Sequence, residues 1–69
     1  MHDKREYRRA DALIPGDMVI YNAFLPCLLL DVHKHMTYVA LRLMKPNCCM
    51  FIIFRESEHH LCILPGTPL

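Results

Sequence analysis

The stretch LIPGDMVIYNAFLPCLLLDVHKH, residues 13–35, decides how this chain is read. Pro15-Gly16-Asp17 interrupts its apolar opening: proline fixes φ and glycine permits positive φ, so the triplet suits a tight turn that feeds a strand. That strand is expected over 18–22, with a short connection at 23–26 and a longer strand over 27–35. The second half of 27–35 alternates. Leu28, Leu30 and Val32 fall on one side and Asp31, His33 and His35 on the other, the period of two of a strand with one wet face.

The same pattern continues downstream. In 37–44, Val39, Leu41 and Leu43 alternate with Tyr38, Ala40 and Arg42, and threonine, tyrosine and valine favour a pleated surface. Lys45-Pro46-Asn47-Cys48 makes a turn with proline in second place. Proline cannot take the positive φ of a type I′ hairpin, so a loop longer than two residues is expected. Residues 49–54 are apolar on both faces, with Met50, Ile52 and Phe54 pointing one way and Cys49, Phe51 and Ile53 the other. RESEHH is a polar connection, His60–Leu64 is a last short strand, and PGTPL consists of turn residues. A helix over 27–44 would waste the β-branched residues and misplace Arg42. The expected fold is therefore all-β, five short strands in a small barrel or a curled antiparallel sheet. Residues 1–12 form a polar N-terminal arm or short helix, and 13–69 a single small domain.

Gly16-Asp17-Met18-Val19, followed closely by the run PCLLLDV, resembles the entry to an SH3-like small barrel of the Tudor or KOW kind. The remaining strands then follow in the order such a barrel uses. What the resemblance implies is a scaffold that binds proteins or nucleic acids and seldom catalyses. A Tudor-type cage needs several rings around a methylated cation. Tyr21, Phe24 and Tyr38 are the available rings, but the 45–49 loop has none and the chain has no Trp.

Sixty-nine residues bury only about 60% of the surface that the unfolded chain exposes. Yet 54% of the residues are apolar, so either the interior is unusually full or apolar surface is covered by a partner or a second copy. Protein association thus has the strongest physical motive, with Leu25, Leu29, Met50, Phe51, Ile53 and Phe54 as candidate interface residues. The expected function is a non-catalytic protein–protein interaction module, self-associating or part of a larger assembly. Its length and composition would suit a viral or phage accessory protein.

A net charge of +1 exerts no strong general pull on nucleic acid. The alternative reading is a nucleic-acid-binding barrel that uses Lys4, Arg5, Arg8 and Arg9 with Arg42, although Asp3, Glu6 and Asp11 dilute that cluster. A third reading is a metal-stabilised domain with His59, His60, Cys62 and Cys49 as ligands. The residue types suit zinc, but no C-x₂-C pair supports it, and no metal or other cofactor is expected. Cys62 with His60 is the one pairing of a nucleophile with a base. It has no orienting third group, and with glycine only at 16 and 66 there is no phosphate loop, so an enzyme is not expected. The charged opening MHDKREYRRAD lacks an apolar signal core, and no apolar run approaches membrane-spanning length. The expectation is an intracellular, cytoplasmic protein with no membrane partner and four reduced cysteines.

Overall fold

A computed structural model describes residues 5–64. Six strands form one antiparallel sheet in the order β1-β6-β2-β3-β4-β5, curled but not closed. They are β1 (Glu6–Arg9), β2 (Met18–Tyr21), β3 (Leu25–Lys34), β4 (Tyr38–Met44), β5 (Met50–Glu56) and β6 (His60–Leu64). Strands β2 to β5 run as a meander of consecutive hairpins. β6 then returns to pair with β2, Val19 opposite Ile63, and carries β1 on its far side. The all-β expectation and the curled sheet hold.

The segment expected to be a polar arm or short helix enters this sheet. Glu6–Arg9 pair with β6, and a single 3-10 turn, Ala10–Ala12, follows them. Ala10 is fully buried, and its amide donates to the carbonyl of His59 at 2.7 Å. The sheet therefore has six strands, one more than alternation alone suggests: EYRR has no apolar face, and only its partner strand makes it extended. Lys4 and the closing 65–69 lie outside the described residues.

Proline and glycine act at the 14–17 turn as their chemistry predicts. The Asp17 amide donates to the Ile14 carbonyl at 3.2 Å, with Pro15 second and Gly16 third at φ 100°, the positive value a type II turn requires. Two further bonds of 2.9 Å clamp the turn to β3, Gly16 N–H to Leu29 and Leu29 N–H to Asp17. Asp17 is 4% exposed. Its Oδ2 accepts from the Ile14 amide at 3.2 Å and from Arg8 Nη1 at 3.1 Å, so the buried carboxylate has both a donor and a counter-charge. Residues 45–49 connect β4 to β5, and within them Pro46–Cys48 form the turn, closed by Cys48 N–H to Lys45 at 2.9 Å and Lys45 N–H to Cys49 at 2.8 Å. The turn is three residues long, and Cys48 takes the left-handed position at φ 70°.

One expectation about β3 is corrected. Leu28, Leu30 and Val32 do not share a side, because the ladder to β4 slips between Leu29 and Asp31. Leu29 lies opposite Leu43 and Asp31 opposite Arg42, which leaves Leu30 as the extra residue of a β-bulge. The reason is the hydrophobic pattern itself. In a regular strand Asp31 would share the face of Cys27 and Leu29, and that face is the core. The bulge changes phase, so that Cys27, Leu29 and Val32 all point inward while Asp31 and His33 point out.

The core lies on the concave side. Val19, Cys27, Leu29, Val39, Leu41, Leu43 and Ile63 are its largest fully buried side chains, with Leu13, Ile53 and Leu61 beside them. Cys27 is one of these, and burial pushes its thiol pKa up, offset in part by the Lys45 ammonium.

Candidate interaction face

The convex side of the sheet is where the unabsorbed apolar strand residues appear, while Ile14, Phe24 and Met36 are exposed outside the strands. In an antiparallel ladder, directly opposed residues point to the same face. The register therefore traces one row across five strands: Leu64 opposite Met18, Met18 opposite Leu28, Leu28 opposite Met44, and Met44 opposite Met50. All five are apolar. Two shorter rows lie parallel to it, Asp31–Arg42–Ile52 and His33–Ala40–Phe54.

The apolar row is most exposed where it reaches β5. Met18, Leu28, Met44 and Leu64 are half-buried. Met50, Ile52 and Phe54 are 61%, 56% and 61% exposed, three neighbours on one face of one strand. The Arg42 guanidinium pairs with Asp31 across β3 and β4. Its stem, with His33, Ala40 and Ile52, lines a small hollow beside this ladder. Phe54 continues into an aromatic group, with Tyr38 edge-on at 6.1 Å and His35 stacked on Tyr38 at 4.5 Å.

The six candidate interface residues divide by face. Leu29 and Ile53, expected at an interface, are core residues at 1% and 7% exposure and present no surface. Leu25 and Phe51 are half-buried against the core, Phe51 with Tyr21 at 5.1 Å and the Lys45 ammonium 5.5 Å from its ring centre. Met50 and Phe54 stand on the exposed face. Ile52 joins them there; the alternation of 50, 52 and 54 already marked it. Met18, Leu28 and Met44 could not be found from sequence, because only strand pairing aligns them with Met50.

The other candidate sets are not brought together. Tyr21 and Tyr38 belong to different ring groups, and Phe24 is exposed on the β2–β3 turn, so no cage surrounds a shared point. Among the described residues no three His, Cys, Asp or Glu side chains gather as metal ligands. His60 and Cys62 lie on β6, while Cys49 precedes β5, the far strand of the sheet. Three of the five cations of the nucleic-acid reading are engaged with carboxylates. Arg8 bonds Glu6 and Asp17, Arg9 bonds Asp11 at 2.9 Å and 3.0 Å, and Arg42 bonds Asp31. Arg9 also holds the Asp11 carboxyl below its ordinary pKa, chiefly through these hydrogen bonds. A wider hollow near the Lys34–Tyr38 turn has walls of both signs, Arg9 and Lys34 against Asp11, Glu56 and Glu58.

The class these observations define is a small all-β protein, a curled six-stranded antiparallel sheet with an apolar convex face. No protein-family model matches the chain, and no curated protein matches its sequence. No helix among the described residues is long and apolar enough to cross a membrane.

Proposed function

We propose that this chain is a non-catalytic protein-interaction module and that the convex face of β3–β5 is its docking surface. The observation that carries the reading is the ladder Met50, Ile52 and Phe54, more than half exposed on a strand that pairs on one side only among the described residues. Removing each of these side chains from water is worth about 1–2 kcal/mol, and the half-buried row beside them extends the same apolar ground. The flanking polar groups, Asp31 with Arg42 and His33, supply a rim that sets register. The meander β2–β5, the return of β6 to β2 and the Gly16-Asp17 turn support reading the curled sheet as an SH3-like small barrel, a scaffold suited to this task. The nucleic-acid alternative draws less support, since Arg8, Arg9 and Arg42 already have carboxylate partners.

Purification of the chain from its native cells tests the proposal, with Phe54→Glu run alongside. Wild type is expected in an assembly larger than a lone chain, and the variant as a free monomer with an unchanged circular-dichroism spectrum. Wild type recovered only as a lone chain would refute the reading.

A further inference from the structure

The two edges of the sheet differ in kind. β1 is four residues long, carries Glu6, Arg8 and Arg9, and is protected by charge in the way natural edge strands usually are. β5 is seven residues long and has no charge before Arg55, no proline and no bulge in its ladder. Such an edge invites a second backbone.

The hydrogen-bond phase shows which groups face outward. At the two ends of the β4–β5 hairpin, Lys45 N–H bonds Cys49 at 2.8 Å and Ser57 N–H bonds Thr37 at 3.0 Å. Both pairs lie in the register that sets Met44 opposite Met50 and Tyr38 opposite Glu56. Bonded and non-bonded pairs alternate in an antiparallel ladder, so the odd-numbered residues of β5 bond to β4. The amides of Met50, Ile52, Phe54 and Glu56 therefore point to the free edge, as do the carbonyls of Met50, Ile52 and Phe54; the Phe54 carbonyl accepts from Arg55 Nη1 at 2.8 Å, and the Glu56 carbonyl accepts from the His59 amide at 3.0 Å. These are the same residues whose side chains stand on the convex face, Glu56 excepted as the polar end of the strand.

We propose that a second copy of this chain occupies this edge, β5 against β5, antiparallel about a two-fold axis through Ile52. The proposal rests on the convex face being a docking surface and names what docks there. A two-fold contact must be self-complementary, since the same patch meets itself. With the axis at Ile52, Met50 lies opposite the partner's Phe54 and Ile52 opposite the partner's Ile52. On the concave side Phe51 lies opposite the partner's Ile53. Every pair within 50–54 is apolar with apolar, and the amides of Met50, Ile52 and Phe54 each meet an edge carbonyl of the partner, the Met50 amide taking the place of the Arg55 side chain that bonds the Phe54 carbonyl. Moving the axis to Ile53 would set Met50 against the partner's Glu56, which leaves a carboxylate beside a thioether and costs the match. A foreign strand would need its own complementary pattern; a second copy already carries it. Each protomer's apolar row then runs on through Met50 to the partner's Phe54, and the edge amides that water alone would satisfy are bonded.

Amide exchange on the purified full chain, followed by NMR at low-micromolar and millimolar concentration with sedimentation at both, tests this. A dimer is expected at the higher concentration, with exchange at Met50, Ile52 and Phe54 slowed at least tenfold there and fast on dilution. Ile52→Pro removes a free-edge amide and no bond to β4, so it is expected to fold and stay monomeric, whereas Ile52→Thr keeps the amide and retains edge protection. A dimer whose three amides exchange freely would overturn edge pairing while the docking face stands. A monomer at millimolar concentration would overturn self-pairing, and the native-cell purification decides the docking face separately. Protection that does not change with dilution would mean that the chain's own termini cover the edge, and overturns the proposal as well.

Discussion

Gly16 stands at φ 100°, and no atom comes within 4 Å of where its Cβ would sit. Space is therefore not the constraint; backbone strain is. Gly16→Ala is expected to cost about 1–3 kcal/mol, read from urea unfolding, because alanine at this φ is strained whatever surrounds it. Ala23 presents the converse case. It holds φ 72° in the β2–β3 turn, so Ala23→Gly is expected to raise stability by about 1 kcal/mol, relief of strain exceeding the entropic cost of glycine. The cysteines separate by burial. Cys48 and Cys49 are exposed, Cys62 is half-buried, and Cys27 is buried with its thiol pKa raised by desolvation. A thiol titration with a disulfide reagent should modify Cys48 and Cys49 first, and Cys27 only when the protein unfolds, since a raised pKa withholds the reactive thiolate at any given pH.

Among the elements, β5 carries the sharpest internal contrast. Neighbours in sequence, Ile52 and Ile53 are 56% and 7% exposed. Ile53→Ala is expected to cost about 2–5 kcal/mol through cavity formation, and Ile52→Ala well under half of that in the monomer, both by denaturant titration in dilute solution. Equal losses would mean that both faces of β5 are buried within one chain. Alternation along 49–54 separated 50, 52 and 54 from 49, 51 and 53, but with both sets apolar it left open which one faces the core. In β3 the same logic failed across one residue, because Cys27–Leu30 are all apolar and hide the phase, and the bulge at Leu30 follows from where Asp31 can afford to point. The first strand was illegible for another reason: EYRR has no apolar period, and the pairing of Glu6 with Ile63 makes it extended.

For the molecule as a whole, charge is spread rather than massed. The net charge is +1, and Arg8, Arg9 and Arg42, three of the five described arginines, have carboxylates within bonding distance. Released counterions, and hence salt-sensitive nucleic-acid affinity, depend on cations free to meet phosphate. The chain is expected to pass through an oligonucleotide column without retention even at about 50 mM salt; retention that disappears by about 200 mM would revive the nucleic-acid reading. An apolar surplus governs instead. The sheet has a filled concave core and still leaves Met50, Ile52 and Phe54 on the convex side.

By itself the amino-acid order determined the strands β2 to β6, the turns between them and the surplus of apolar residues, because turn chemistry and a period of two are local properties of a chain. Only the tertiary structure decided that residues 6–9 form an edge, that Leu29 and Ile53 are interior, and that Met18, Leu28 and Met44 align with Met50. Those facts depend on which strand lies beside which and in what register, and register is set by contacts between residues far apart in sequence.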